Sequence, residues 1–144
     1  MIKNIEWHLI YPIWEKYLWP ERTSTIKSHS AMMYLNGHSM KNYDYRPSFL
    51  GYFKDNSLIG VNSCHKCSDG SLRSRGLWVH PDHRNQGIGY KLLKQTIEFK
   101  GNATFVWSYP RKSSWRTYEN VGFYLTSDWE SSETSEANAY CRLD

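Results

Sequence analysis

The segment 77–90 constrains the fold more than any other part of the chain. A hydrophobic run ends at Val79, Pro81 lacks a backbone donor, and Gly87 and Gly89 open a stretch with helical apolar spacing. This pattern predicts a strand, a short polar loop and a helix. Because glycines have no Cβ atom, a ligand can approach the backbone closely at that turn. The N–H groups of the first helical turn and the helix dipole favour an anion there, which is typical of a pyrophosphate cradle.

Positive charge is concentrated around this segment. The net charge is +4, from 18 Lys and Arg against 14 Asp and Glu. The stretch from Lys66 to Arg116 holds ten basic and three acidic residues, a net charge of +7. Arg84, at the edge of the loop, adds charge-assisted donors. The basic middle therefore predicts an anionic ligand, which by charge alone is a nucleotide, a nucleic acid or a lipid.

Length and composition limit the class of protein. A chain of 144 residues favours one domain with its own core. The longest apolar run, Ala31–Leu35, is five residues, too short for a transmembrane helix or the apolar segment of a signal peptide. Three cysteines, an odd number, favour reduced thiols over a disulfide framework. We therefore expect a cytoplasmic protein with no membrane partner.

The hydrophobic pattern predicts the element order β-β-β-α-β-α-β-β, a mixed sheet with helices on its faces. The predicted strands are Phe49–Phe53, Leu58–Cys64, Leu72–Val79, Ala103–Tyr109, Phe123–Thr126 and Ala137–Leu143. The predicted helices are Gln86–Lys100 and Ser113–Val121. The first third of the chain is less regular and predicts a short strand over Ile2–Leu9 and helices over Ile13–Leu18 and Ser30–Leu35.

Two motifs in this frame resemble those of one enzyme family. A Gly-x-Gly after a strand is a weak signal, and the Rossmann and P-loop patterns both fail here. The string Arg84-Asn85-Gln86-Gly87-Ile88-Gly89, however, is similar to the acyl-CoA motif of the GNAT superfamily of N-acetyltransferases. Downstream, Tyr118-Glu119-Asn120-Val121-Gly122-Phe123 resembles that family's Tyr-Glu-x-x-Gly-Phe segment. Together the motifs cover Leu72 to Phe123, about a third of the chain, in the family's order and spacing.

The resemblance implies a fold and an activity. The fold would be a single-domain α/β structure with a mixed central sheet, one splayed pair of strands and helices on both faces. The chain would divide into acceptor-side helices and loops (1–47), an acetyl-CoA-binding core (48–126), and an acidic loop with the final strand (127–144). The implied activity is transfer of an acetyl group from acetyl-CoA to an amine by direct attack on the thioester. Acetyl-CoA is the expected co-substrate, and no metal is expected.

The matched positions also imply site residues. Backbone groups of one strand end would pair with the pantetheine arm, from Leu77, Trp78 and Val79. The loop and the first helical turn would hold the pyrophosphate, through Arg84, Asn85, Gln86, Gly87, Ile88, Gly89 and Tyr90. The position of the family's general acid is Tyr118, a phenol whose ordinary pKa near 10 lets it protonate a thiolate at neutral pH. The alternative for Tyr118 is an aromatic side chain packed on a helix.

The sequence departs from the family pattern at the general base. Many members carry a carboxylate on one of the two central strands, and Leu72–Val79 and Ala103–Tyr109 contain none. Ser108 occupies a candidate base position, so the amine proton would pass to water or to a group from elsewhere. The candidates elsewhere are His65, Glu21 and Asp44.

The acceptor is not specified by any motif. A protein or peptide amine, a small-molecule amine and a modified nucleobase all fit. The tryptophans Trp7, Trp14 and Trp19 would pack on the sheet or line an acceptor pocket. The acidic stretch 128–136 is a solvated loop or attracts a cationic acceptor such as a polyamine. The sequence is compatible with a homodimer and does not identify an interface.

Two rival functions and one metal site are alternatives. The absence of a carboxylate from the two central strands is compatible with a catalytically weak acyl-CoA-binding regulator. The net positive charge and the aromatic content are compatible with a basic nucleic-acid-binding module. The two matched motifs favour the enzyme over nucleic-acid binding. Cys64, Cys67, His80 and His83 are zinc-type ligands, but the histidine spacing is one residue short and Pro81 prevents the helix of a zinc finger.

Overall fold

Nine strands and three α-helices build the described part of the chain, which comprises residues 1–20, 47–67, 69–131 and 136–144 and the strand residues 34–35 and 38–39 of a computed structural model. The strands are β1 (Ile2–Asn4), β2 (Tyr34–Leu35), β3 (His38–Ser39), β4 (Ser48–Lys54), β5 (Ser57–Lys66), β6 (Leu72–Val79), β7 (Val106–Ser108), β8 (Tyr124–Leu125) and β9 (Cys141–Leu143). The helices are α1 (Trp7–Ile13), α2 (Ile88–Ile97) and α3 (Trp115–Val121). None of these helices is long and apolar enough to cross a membrane.

Seven of the strands form one mixed sheet in the order β1-β4-β5-β6-β7-β9-β8. Only β6 and β7 are parallel neighbours in the described sheet, and the other adjacent pairs are antiparallel. The β4–β5 hairpin closes at Asp55 and Asn56, which both have positive φ, as a type I′ turn requires. The predicted mixed sheet, its order of elements and the turn at these two residues are confirmed.

Alternating residues of the sheet contact helices on opposite faces. In β4, Phe49 packs with Ile10 and Trp14 of the N-terminal helical segment. Its neighbour Leu50 packs with Leu92 of α2 on the other side. Because successive strand residues point to opposite faces, this apolar run is buried on both sides. The predicted arrangement of helices on both faces is confirmed.

The beginning of the chain differs from its predicted elements. The strand predicted over Ile2–Leu9 ends at Asn4, and α1 begins at Trp7. Trp7, Ile10 and Trp14 recur at helical spacing, and Ile10 and Trp14 are 0% and 1% exposed. Packing of this helical face against the sheet outweighs the strand tendency of the β-branched residues at the start of the chain.

Of the two other helices predicted in the first third of the chain, one is present and part of the other is replaced by a strand. The helix predicted over Ile13–Leu18 is present as a π-helical continuation of α1, Trp14–Leu18, in which the Trp19 N–H donates to the Trp14 carbonyl at 2.8 Å. Of the helix predicted over Ser30–Leu35, residues 34–35 instead form β2. The rest of that segment lies outside the described residues.

A bulge in β6 is fixed by a tryptophan from the N-terminal helical segment. The register between β5 and β6 shifts so that Gly76 and Leu77 together lie opposite Asn62. Gly76 has a φ of 82°, and its carbonyl accepts a hydrogen bond from Trp14 Nε1 at 2.9 Å. A Cβ atom at Gly76 would lie 2.4 Å from the indole ring of Trp14. Glycine is therefore required here both by the backbone conformation and by the close approach of the ring.

Gly76→Ala is expected to destabilise the fold substantially. The left-handed conformation costs a residue with a Cβ about 1–2 kcal/mol, and overpacking against Trp14 adds about 1–3 kcal/mol. The matched control is Gly70→Ala, because Gly70 has a φ of 85° with no atom within 4 Å of the added Cβ. Urea unfolding of both variants measures the difference. Equal free energies of unfolding for the two variants would contradict the Trp14 contact.

Candidate active site

The parallel strands β6 and β7 separate soon after they meet. In the described strands their pairing comprises Leu72 with Val106 and Arg73 with Trp107, although β6 continues for six further residues. At the point of separation, Ser108 Oγ donates to the Ser74 carbonyl at 2.7 Å. Beyond this bond the strands enclose one side of a cavity of about 840 Å³. The backbone of β6 is therefore available to a ligand on the side where a strand would normally pair.

A buried polar network holds α2 beside this gap. Asn62, opposite the bulge, donates through Nδ2 to Ser74 Oγ and to Thr96 Oγ1, both at 2.9 Å. Thr96 Oγ1 in turn donates to the Leu92 carbonyl within α2 at 2.7 Å. These groups are buried, so each bond is costly to break. The network sets the position of α2 relative to the open edge of β6.

The N-terminus of α2 faces the cavity without a side-chain cap. Gly87, the N-cap residue, has a φ of 80°, and its carbonyl accepts the first helical hydrogen bond from Lys91 N–H at 3.0 Å. The N–H groups of the three intervening residues consequently have no acceptor within the helix. A Cβ at Gly89 would approach Thr117 Cγ2 of α3 to 3.3 Å. The two glycines thus leave an open, electropositive turn of the kind that accommodates phosphate oxygens.

The cavity is strongly basic. Five arginines line it and one carboxylate, Glu136, is found among the described lining residues. The arginines are Arg73, Arg75, Arg84, Arg111 and Arg116. Arg84 Nε donates to the Val79 carbonyl at 2.9 Å, which keeps that guanidinium beside the loop. Glu136 accepts a hydrogen bond from Ser113 Oγ at 2.5 Å. Such a charge distribution favours an anionic ligand.

Tyr118 of α3 lies at the point where the strands separate. It lines the cavity, its side chain is 2% exposed, and its hydroxyl is 3.5 Å from Ser108 Oγ. Burial raises the pKa of the Tyr118 phenol above its ordinary value, and the interaction with Ser108 offsets part of that rise. Its ring packs edge-on against Phe123 at a centroid distance of 5.4 Å. The Tyr118 phenol is therefore neutral at neutral pH and lines the cavity where the two strands separate.

Most of the residues expected to bind the cofactor line this one cavity. They are Leu77, Trp78, Val79, Arg84, Asn85, Gly87, Ile88, Gly89 and Tyr90. Gln86 is exposed and is not among the lining residues. Asn85 has a φ of 63°, so the loop turns sharply just before the glycines. The cofactor role of the set stays a prediction.

The structure places the candidate general bases in different environments. His65 is 2% exposed on β5 and is not among the cavity-lining residues. Ser108 is buried, and its hydroxyl donates to the Ser74 carbonyl. Glu21 and Asp44 lie outside the described residues. Within the described residues, no three His, Cys, Asp or Glu side chains are close enough to hold a metal ion, the Cys64, Cys67, His80 and His83 set included.

Sequence reasoning missed the tertiary contacts of two arginines and the bulge. Gly76 inside a predicted strand is a signal for a bulge, but its partner Trp14 is 62 residues away. Arg73 and Arg75 contribute to the basic segment in the sequence, and their spacing of two residues predicts one shared face of the strand. Their stacking on aromatic rings depends on distant parts of the chain.

Comparisons with known proteins agree with this geometry. The family model described as "Acetyltransferase (GNAT) family" matches residues 7–123. The chain is similar in structure to the IAA acetyltransferase from Bacillus cereus, with 14% identity, a TM-score of 0.74, and 99% of this chain and 97% of that chain covered. It is also similar to the ribosomal-protein-S18-alanine N-acetyltransferase from Escherichia coli, with 17% identity, a TM-score of 0.67, and 99% and 92% covered.

A third structure contains a bound ligand. This is a candidate streptothricin acetyltransferase from Bacillus anthracis in complex with acetyl coenzyme A, with 18% identity, a TM-score of 0.58, and 67% of this chain and 62% of that chain covered. At these identities the three likenesses show a shared fold. No curated protein matches the sequence.

Proposed function

The chain belongs to the acetyltransferase (GNAT) family, and we propose that it transfers an acetyl group from acetyl-CoA to an amine acceptor. The observation that supports this most strongly is the continuity of the gap between β6 and β7 with the uncapped N-terminus of α2. One open strand edge leads directly to one anion-binding helical turn. A ligand that joins an amide-bearing arm to a diphosphate fits both features at once.

The residues present suit acetyl-CoA. The backbone of Leu77–Val79 would hydrogen-bond the pantetheine amides, because β6 has left its neighbour there. The open turn at Gly87 and Gly89 would bind the diphosphate, with Arg84 adding charge-assisted hydrogen bonds. Acetyl-CoA, when bound, supplies the thioester carbonyl carbon that the acceptor nitrogen attacks.

Tyr118 is the proposed general acid. As the new C–N bond forms and the C–S bond breaks, the sulfur takes the bonding pair and the phenol proton of Tyr118. The acceptor nitrogen loses one proton to water, since β6 and β7 carry no carboxylate, and water returns a proton to Tyr118. The products are an N-acetyl amide and the free thiol, so atoms and protons balance.

Acetyl-CoA binding is expected to raise the melting temperature. A ligand at 100 times its dissociation constant stabilises the native state by about 2.7 kcal/mol, which for a chain of this size is roughly 5–10 °C. Differential scanning fluorimetry with acetyl-CoA and with CoA measures the shift, and ATP is the control because it carries phosphates without the pantetheine arm. No stabilisation by CoA, or an equal one by ATP, would contradict the proposed site.

Tyr118→Phe is expected to lower turnover at least tenfold, because a general acid or base typically contributes about 10²–10⁴-fold, while leaving the acetyl-CoA-induced shift unchanged. The phenylalanine ring keeps the contact with Phe123 and removes only the proton. Tyr124→Phe is the matched control, because Tyr124 is exposed on β8 and hydrogen-bonds Asp144 outside the cavity.

The pH profile tests the same role. Because burial raises the pKa of Tyr118, its acid form persists as pH rises, and wild-type turnover should not decline through ionisation of Tyr118 below about pH 10. A thiol-release assay from pH 7 to 10 measures the turnover of the wild type and of the Tyr118→Phe variant.

Unchanged turnover in Tyr118→Phe would make Tyr118 a packing residue. The protein would then use another acid.

The missing strand carboxylate supports a second candidate, an acyl-CoA-binding regulator without turnover. Neither Leu72–Val79 nor Val106–Ser108 contains Asp or Glu. Both candidates expect stabilisation by acetyl-CoA. Release of CoA thiol in the presence of amines separates them, because only the enzyme produces it.

A further inference from the structure

A buried serine at the end of β7 faces the hydroxyl of Tyr118. Ser108 is the last residue of β7, is 2% exposed and lines the cavity. Its Oγ lies 3.5 Å from the Tyr118 hydroxyl oxygen. The same Oγ donates to the carbonyl of Ser74 on β6 at 2.7 Å. The Ser108 hydroxyl therefore lies between the phenol of the proposed acid and the backbone of the neighbouring strand.

The other groups packed around this serine are largely apolar. Val106, two residues earlier and therefore on the same face of β7, belongs to one buried cluster with Tyr118, Phe123 and Cys141. Cys141 is also the partner of Ser108 in the pairing of β7 with β9. An alanine would fill this place without a polar group to satisfy. The contribution of the Ser108 hydroxyl therefore lies in its hydrogen bonds.

The acid step proposed for Tyr118 is unfavourable without help from such a hydroxyl. The alkyl thiol of cysteine, which resembles that of CoA, has an ordinary pKa of about 8.5, and a phenol has one of about 10. Transfer of the phenol proton to the thiolate is therefore unfavourable by about 30-fold in water. Burial raises the pKa of the Tyr118 phenol further, whereas the side chains of Ser108 and Ser74 lower it. Donors to the phenolate oxygen thus decide how readily Tyr118 releases its proton.

One rotation lets the Ser108 hydroxyl supply this donor. A serine hydroxyl has one hydrogen and two lone pairs. While the hydrogen is donated to the Ser74 carbonyl, Ser108 Oγ offers a lone pair to the neutral phenol. Once the phenol has lost its proton, rotation about the Cβ–Oγ bond directs the hydrogen to the phenolate oxygen. The distance of 3.5 Å exceeds the ordinary range of about 2.5–3.0 Å, and hydrogen bonds between catalytic groups commonly shorten in the substrate complex.

We propose that Ser108 is a positioning residue for the acid step and donates its hydroxyl hydrogen to the Tyr118 phenolate as the C–S bond breaks. The inference rests on the proposed acetyl transfer and adds a residue to it. Sulfur takes the bonding pair and the phenol proton, so the negative charge moves to the phenol oxygen. Ser108 keeps its own proton and changes only its acceptor. The hydrogen bond offsets the cost of a buried phenolate until water returns a proton to Tyr118.

A double-mutant cycle of Ser108→Ala with Tyr118→Phe tests this role. Release of CoA thiol is measured at saturating acetyl-CoA with hydroxylamine, an acceptor that is largely unprotonated near neutral pH and needs no base. Ser108→Ala is expected to lower turnover about tenfold or more, the effect of a hydrogen bond to a charged group. The KM for acetyl-CoA should stay within about twofold. In the Tyr118→Phe background, the same substitution should change turnover by less than about twofold.

Ser63→Ala is the matched control. Ser63 of β5 is 1% exposed, and its Oγ also donates to a carbonyl of β6, that of Arg75, at 2.7 Å. Ser63 lies outside the described set of cavity-lining residues. Both alanine variants lose one buried hydrogen bond to the same strand, so we expect similar decreases in melting temperature. Only Ser108→Ala is expected to lose turnover, and the acetyl-CoA-induced melting shift shows that each variant is folded and binds the co-substrate.

The outcomes distinguish this inference from the proposed function. Wild-type turnover in Ser108→Ala, or an equal loss in Ser63→Ala, would overturn the role of Ser108 and leave acetyl transfer intact. A Ser108→Ala loss that persists in full in the Tyr118→Phe background would also overturn it, because Ser108 would then not act through Tyr118. No acceleration of CoA release by the wild-type chain, with hydroxylamine or with other amines, would instead overturn the proposed function.

Discussion

The early separation of β6 from β7 is the constraint on which the rest of the structure depends. A parallel pair buried in a sheet would ordinarily satisfy its backbone groups along its whole length. Here the pairing of β7 with β6 ends at Trp107, whereas its antiparallel pairing with β9 continues to Ser108, and Trp14 hydrogen-bonds the Gly76 carbonyl at the bulge of β6. Buried contacts fix the three features beside this unpaired edge. These features are the bulge at Gly76, the hydrogen-bond network around Asn62, and helix α2. The cavity is therefore built into the sheet rather than added by a loop.

The sheet places different chemistry at successive points along this gap. The glycine turn and Arg84 form the end suited to phosphates. Tyr118 lies where the strands separate, packed against Phe123 and close to Ser108. Arg73 and Arg75 lie beyond it, stacked on tryptophans. This order is compatible with the proposed acetyl transfer, in which acetyl-CoA would enter from the helix side and its thioester would meet the acceptor at the strand separation.

The tryptophans of the first third, Trp7, Trp14 and Trp19, form an aromatic cluster beside the bulge. Trp14 supports the bulge through its N–H and its ring, and Trp7 and Trp19 pack against it at centroid distances of 5.9 and 5.3 Å. Trp19 also orients Arg75. Tyr17 stacks on Trp78 at 4.8 Å and lines the cavity. The sequence is compatible with these residues packing on the sheet or lining an acceptor pocket; in the structure Trp14 is buried in the core, and Trp19 packs against that core and also lines the cavity.

Local pattern predicted the turn from Val79 to Gly89 well, because glycine, proline and helical spacing act over a few residues. The hairpin at Asp55 and Asn56 was predictable for the same reason. The bulge and the arginine stacking were not, because they depend on contacts between residues more than 30 positions apart, such as Trp14 with Gly76 and Arg73 with Trp107. At the start of the chain, burial of one helical face outweighed local strand propensity.

Amide hydrogen exchange with and without acetyl-CoA tests the central claim most directly, because it reports on the backbone groups that the separated strand leaves open. Slower exchange at the amides of 77–79 and of 88–90 is predicted, with little change in β1 and β8 at the two edges of the sheet. Unchanged exchange at both segments, or protection confined to the edge strands, would contradict the account.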